Sequence, residues 1–257
     1  MSRIGRIRSE AVAASRSFLR RRTAVFFTFF FPVLLIVIFG ALVQTGGGSG
    51  GLFTEPAAYY VPGYLAVVVL FTPLSRIGST VARYRDGNRF EKLATTPLTR
   101  REWLAAHTVV NVLIIGVASL VILGLILLIT DAAVRLSMLV VPFIVAAVLL
   151  FCGIGALLGR LADSQDGVIA ASNGIALPLI FLSETFVPPS LLPAWFRPLI
   201  ALSPLTYFAR GVRLVTTKTA TTTGGSLPET PGGTLLILSI LAVGFFAAGA
   251  WTIPRTD

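Results

Sequence analysis

The sequence predicts an all-α integral membrane protein with six transmembrane helices, an amphipathic interface helix ahead of them, and a re-entrant helical hairpin between spans five and six. Three observations carry that reading. Apolar runs of spanning length recur along the 257 residues, and about 20 apolar residues suffice to cross a hydrocarbon core about 30 Å thick. Hydrophobic residues make up 55% and charged residues 12% of the chain, about half the charged share of a soluble domain. The charges gather in short clusters beside the apolar runs, as they do in cytoplasmic loops. Helices follow because a backbone amide in lipid must be satisfied within its own segment. The runs are continuous, without the period-two alternation of a membrane barrel.

Residues 1–22 hold seven arginines: Arg3, Arg6, Arg8, Arg16, Arg20, Arg21 and Arg22. Ile4, Ile7, Ala11, Ala14 and Phe18 recur at helical spacing, with most of the arginines on the opposite face. That pattern describes a helix lying in the membrane surface; an unstructured basic leader that sets topology is the plainer alternative. Span one is expected near 24–43. It is longer than the apolar core of a signal peptide and runs into the glycine-rich stretch Gly46–Gly51. Span two is expected near 59–79, with Tyr59, Tyr60 and Tyr64 as interfacial anchors and Pro62 and Pro73 as kinks or end markers. A charged loop, 83–101, precedes span three near 105–129. Span four is expected near 137–158, span five near 168–187 and span six near 234–253. Segment 188–233 is neither one clean span nor simply polar. No internal repeat is evident, so 1–257 reads as one domain.

Charge orients the chain. With the N-terminus cytoplasmic, 16 of the 21 Lys and Arg residues fall on the inner side and five on the outer. Both termini are therefore expected in the cytoplasm, in a multi-pass plasma-membrane protein. The same placement argues against nucleic acid as the reason for the net charge of +10.

Several chemistries find no support. Cys152 is the single cysteine and His107 the single histidine, which excludes a disulfide framework and a multi-His metal site. No G-x-x-x-x-G-K-[ST] phosphate loop, G-x-S-x-G or H-E-x-x-H is present. Gly153 and Gly155 read as close-packing positions between helices. His107 reads as interfacial, Asp131 and Arg135 as solvated. Asn173, mid-span, is expected to bond across helices. Arg76 and Glu184 lie near span ends, where Arg76 can snorkel. No proton relay is visible.

Two segments carry more information. RYRDGNRFEKLATTPLTRREWL, residues 83–104, contains two capping boxes, Asn88 with Glu91 and Thr99 with Glu102. Pro97 separates the two helices. A short exposed helix is expected at 89–95, with Phe90 and Leu93 available for docking. SETFVPPSLLPAWFRPLIALSPLTYFARGVR, residues 183–213, has too many prolines to span, yet it is too apolar for a plain loop. A broken pair of short helices dipping into the outer leaflet fits. Trp195, Phe196, Leu199 and Ile200 offer an apolar face there. Arg197 and Arg210 need water or an acidic partner, for which Glu184 is nearest.

Together these segments resemble the permease subunits of type-2 ABC exporters, the family of antibiotic-resistance, Nod-factor and polysaccharide export permeases. EKLATTPL at Glu91–Leu98 matches the family's inner-loop pattern. Ser183, Phe186, Pro188, Leu192, Pro193, Trp195, Pro204, Leu205, Thr206, Tyr207 and Arg213 match the pattern after span five. Glu184 departs from it, standing where the family commonly has glycine. The resemblance implies a paired permease, with a second copy or a paralogue, above two separate ABC ATPase subunits. Cofactors on this chain would be none, ATP and Mg being bound by the ATPase. Phe90, Glu91, Leu93, Thr96 and Pro97 would couple to the ATPase. Glu184, Phe186, Pro188, Pro193, Trp195, Pro204, Tyr207, Arg210 and Arg213 would form an outer gate. The cargo would be a drug, a lipid or a lipid-linked glycan. The competing classes are a lipid-modifying enzyme, for which Asp86-Gly87 lacks a second acidic cluster, and a non-transporting assembly factor.

Overall fold

A computed structural model describes residues 2–38, 57–129, 134–186, 192–193, 195–217 and 228–253. Helix α1 (Arg3–Leu19) is capped by the Ser2 hydroxyl, which accepts a hydrogen bond from the Gly5 amide at 3.2 Å. Helix α2 (Arg22–Ile36) follows at once. Its 15 residues rise about 22 Å, short of the hydrocarbon thickness, and residues 39–43 of the expected first span lie outside the described residues. A 3-10 turn, Ala57–Tyr60, leads into α3 (Val61–Asp86). Pro62 opens this helix, where its missing N–H costs nothing, whereas Pro73 sits inside it.

The short helix α4 (Arg89–Ala94) precedes α5 (Arg100–Ile129), α6 (Val140–Leu161) and α7 (Gln165–Leu182). After them come α8 (Arg197–Ile200), α9 (Pro204–Thr216) and α10 (Pro231–Thr252). Among the described residues, five helices are long and apolar enough to cross a membrane: α3 with its leading turn, α5, α6, α7 and α10. Among the described residues all regular structure is helical. Several helices depart from the expected bounds, and α3 runs on to Asp86, seven residues past the expected end at 79 and into the loop expected from 83. The third expected span begins five residues early, because the Thr99–Glu102 box starts it at Arg100. The fifth stops at Leu182, where Ser183 turns extended (φ −95°, ψ 160°).

Helix α6 lies between α3 and α10 and packs along both. Glycine makes this possible. A Cβ at Gly155 would stand 2.6 Å from the Leu74 carbonyl oxygen, and one at Gly159 would strike the Gly78 carbonyl. On the other flank a Cβ at Gly153 would run into the Phe245 backbone, and Gly249 presses on Gly153 in return. Small residues let backbones meet, which is the main source of helix attraction in lipid. The packing role expected of Gly153 and Gly155 is therefore observed. Helix α7 lies against α3, α9 is wedged against α10, α3 and α6, and α1 and α2 lie along α5.

Candidate functional site

Two polar clusters occupy opposite ends of the bundle. At the end that carries α1 and α4, the Arg6 guanidinium donates to both Glu102 oxygens, at 3.1 and 2.5 Å. The carboxylate raises the arginine's pKa above its ordinary value, chiefly through those hydrogen bonds. Glu102 also accepts from the Thr99 amide at 2.9 Å, while the Glu102 amide donates to the Thr99 hydroxyl at 3.3 Å. One carboxylate thus caps α5 and holds α1. One turn further along, Glu10 meets His107 Nε2 at 3.2 Å. Beyond that, Arg76 donates to Asn111 Oδ1 at 3.0 Å and to the Ala14 carbonyl at 3.4 Å, and its guanidinium lies 4.8 Å from the Phe18 ring centroid. Asn111 in turn donates to the His107 carbonyl at 2.9 Å. Arg6, Glu10, Ala14 and Phe18 recur every four residues, so one face of α1 carries the whole ladder.

This ladder bears on three expectations. His107, near the start of α5, is buried between Glu10 and the Trp103 ring. Arg76 is half-buried and tied to Asn111 and to α1. The expected apolar face of α1 is split, because Ala14 and Phe18 are buried while Ile4 is 79% exposed. Sequence reasoning missed Glu10 and Asn111. A Glu in a run of seven arginines and an amide four residues after the lone histidine were the available signals.

The 83–101 loop is built on an aromatic base. Phe90 is buried, with its ring centroid 5.5 Å from those of both Tyr84 and Trp103. It therefore anchors α4 and is not available for docking, contrary to the expectation. Glu91, Thr96 and Pro97 are exposed and Leu93 is half-buried. A second correction concerns the cap. Asn88 adopts a left-handed conformation (φ 50°, ψ 32°) with no side-chain cap bond, so the Asn88–Glu91 box does not form; asparagine tolerates that conformation better than most residues. Leu93, Pro97, Trp103 and Ile253 border a recess of about 380 Å³ beside this loop.

At the other end, Ser183, Glu184 and Thr185 are buried after α7, together with Arg210 and Arg213 of α9. Arg210 donates to Glu184 through Nε at 2.8 Å and through a terminal nitrogen at 2.5 Å. Arg213 donates to the Glu184 carbonyl at 2.6 Å, approaches its carboxylate at 3.7 Å, and lies 3.9 Å from the Tyr59 ring centroid. Two guanidinium groups and one carboxylate therefore share a dry site, where pairing is obligatory. Phe186 packs edge-on to Tyr64, and Gly63 leaves room for the Phe186 ring and the Thr185 carbonyl, each 2.9 Å from where a Cβ would stand.

The rest of the proposed gate is less concentrated. Tyr207 donates to the Ala201 carbonyl at 2.9 Å, and Pro204 opens α9. Pro193 and Trp195 are exposed, while Ile200 is buried. Pro188 lies outside the described residues. Asn173 is exposed on α7 and makes no side-chain hydrogen bond among the described residues, contrary to the expected bond across helices.

Long apolar helices around a glycine-packed centre, with charge confined to the two ends, define a multi-pass membrane protein. The ABC-2 type transporter family model matches residues 10–216, and the chain belongs to that family. It is also similar to a daunorubicin resistance ABC transporter permease protein of Streptomyces coeruleorubidus, 25% identical over 176 residues. The match takes in 64% of this chain and 60% of that relative.

Proposed function

We propose that the chain is the permease subunit of an ATP-driven ABC exporter, paired with a second copy or a paralogue and driven by separate ATPase subunits. The observation that carries this reading is the loop around α4. It projects Glu91, Thr96 and Pro97 outward while Phe90, Tyr84 and Trp103 lock it to α3 and α5. A partner that pushes on such a loop moves two long helices, not a slack tether. Glu91, Leu93, Thr96 and Pro97 supply the ATPase contact, and Phe90 keeps the loop stiff.

In this reading α2 and the residues after it form the first of six spans, and both termini are in the cytoplasm. The segment 188–233, with α8 and α9, is a re-entrant hairpin at the outer face of the plasma membrane. Glu184 with Arg210 and Arg213 closes the outer end of the path between the paired permeases. This chain binds no nucleotide; ATP and Mg sit on the partner. The cargo is a drug, a lipid or a lipid-linked glycan, and the name of the similar permease favours a drug.

Co-expression with an ABC ATPase tests this. Glu91→Gln and Pro97→Ala should lower co-purified ATPase and drug efflux together, while the yield and melting temperature of the permease hold. Full efflux with a full complement of ATPase in both variants would remove the coupling role.

A further inference from the structure

Each flank of the α4 loop carries an arginine that grips the end of another helix. On the leading flank, Arg85 in the last turn of α3 donates to the Ala162 carbonyl at 2.7 Å, the Arg160 carbonyl at 3.0 Å and the Gly159 carbonyl at 3.5 Å. These carbonyls close α6, and the last carbonyls of a helix have no amide ahead of them to accept from. They are also its negative end. A planar guanidinium can hold two of them at once, whereas an ammonium is a point charge. Arg85 is half-buried, and its neighbour Asp86, 3.5 Å away, is exposed. On the trailing flank, Arg100 opens α5 and donates to the Trp251 carbonyl, in the last turn of α10, at 3.0 Å. Ile253, just beyond, is buried and borders the same recess as Leu93, Pro97 and Trp103.

These bonds add a link that close packing does not supply. Helix α6 meets α3 through Gly155 and Gly159, and α10 through Gly153, but those seams stop short of the helix end that Arg85 holds. Helix α7 depends on that end. It lies mainly against α3 and only lightly against α6 and α9. Its chain leaves α6 at Ala162, and Ser164 caps it by accepting from the Gly167 amide at 3.0 Å. Its far end runs into Ser183 and Glu184, and so into the carboxylate that Arg210 and Arg213 share. One 18-residue helix, about 27 Å long, therefore stands between the elbow that Arg85 grips and the opposite cluster.

We propose that Arg85 and Arg100 are positioning residues that hand movement of the α4 loop to two other helices. Arg85 moves the α6–α7 elbow, and α7 carries the displacement to Glu184. Arg100 moves the inner end of α10. The inference rests on the transport reading, in which an ATPase drives that loop.

The test uses the permease co-purified with an ABC ATPase and reads hydrogen exchange by mass spectrometry. Exchange is compared without nucleotide and with ATP and vanadate, which trap the closed ATPase. In the parent complex, trapping should shift exchange about ten-fold in α4, at 162–168, at 183–186 and at 249–253. Arg85→Gln should keep the response in α4 and lose it at 162–168 and 183–186. Arg100→Gln should keep it in α4 and lose it at 249–253. Arg160→Gln removes an exposed charge but keeps the carbonyl, and should respond as the parent does. So should Thr230→Ala, which removes the hydroxyl that caps the far end of α10 and controls for lost stability. Parent-sized responses in Arg85→Gln and Arg100→Gln overturn the proposal, as does a matching loss in Arg160→Gln or Thr230→Ala. Loss of the α4 response in the two arginine variants would place both residues in the ATPase contact and overturn it too. A parent complex that responds in α4 and nowhere else also overturns it. A parent complex whose α4 does not respond defeats the transport reading, and this inference with it.

Discussion

The two ends of the molecule use the same bond in opposite surroundings. Arg6 clasps Glu102 with two hydrogen bonds, and Arg210 clasps Glu184 with two. The first pair is the more exposed of the two, with 17% of the Arg6 side chain and 9% of the Glu102 side chain open. The second is sealed, with Glu184 only 2% exposed, and a second guanidinium shares its carboxylate. A pair in water gains little from forming and loses little on breaking. A buried pair need not stabilise the fold, but removing one partner strands the other. The Glu184 cluster is therefore a constraint on how α9 may sit, whereas the Arg6–Glu102 contact of α1 is the easier of the two to break.

The largest expected effect tests that difference directly. Glu184→Gln should destabilise the protein by about 3–5 kcal/mol, because it removes the carboxylate that two buried guanidinium groups share; the loss is read by denaturant unfolding in detergent micelles. Adding Arg210→Met and Arg213→Met should restore much of the loss by removing the stranded charges. A single-variant loss no larger than that of Arg6→Gln would mean that burial is not what separates the two ends.

A smaller effect is expected where a bond is local. Thr99→Ala removes the hydroxyl half of the α5 cap and should cost about 1 kcal/mol. It should also loosen α1, because Glu102 would keep Arg6 without the hydroxyl that steadies its own position. Hydrogen exchange in α1 should rise in step with the loss of stability. Faster exchange confined to α4 would instead place the cap's role in the loop.

The smallest effect is one of salt. Raising ionic strength screens exposed charges far more than buried ones. Exchange of α1 amides should therefore quicken with salt, and that of α9 amides should not. Arg6→Gln should reproduce the salt effect at low ionic strength. Salt-insensitive α1 exchange would mean that the apolar contacts of Ala14 and Phe18 hold the helix alone.

What could be read beforehand divides along the same line. The long helices, the α5 cap and the packing glycines are local patterns, because length, a three-residue spacing and a small side chain are visible in a short window. Glu184 beside Arg210 was also within reach, since a buried carboxylate needs a cation and the nearby candidates were few. The pairing of Glu10 with His107, 97 residues apart, had no local trace. Nor did the burial of Phe90, because an apolar residue on a short helix looks the same whether it points inward or outward. The Asn88–Glu91 spacing met the rule for a cap, but the tight turn out of α3 set the Asn88 backbone differently. Tertiary context overrode the local preference there.

The seams of α6 have a consequence for register. Gly153 serves α10, while Gly155 and Gly159 serve α3. Each residue turns an α-helix by about 100°, so two steps from Gly153 to Gly155 carry the contact about 200° around, onto the other neighbour. Helix α6 is in effect a key cut on both edges. Deleting Ile154 would leave every apolar residue apolar and the span still long enough for the bilayer, yet turn one edge about 100° out of phase with the other. The helix could then fit α3 or α10, and not both. Hydropathy alone would score that deletion as silent, although it would split the bundle at its centre.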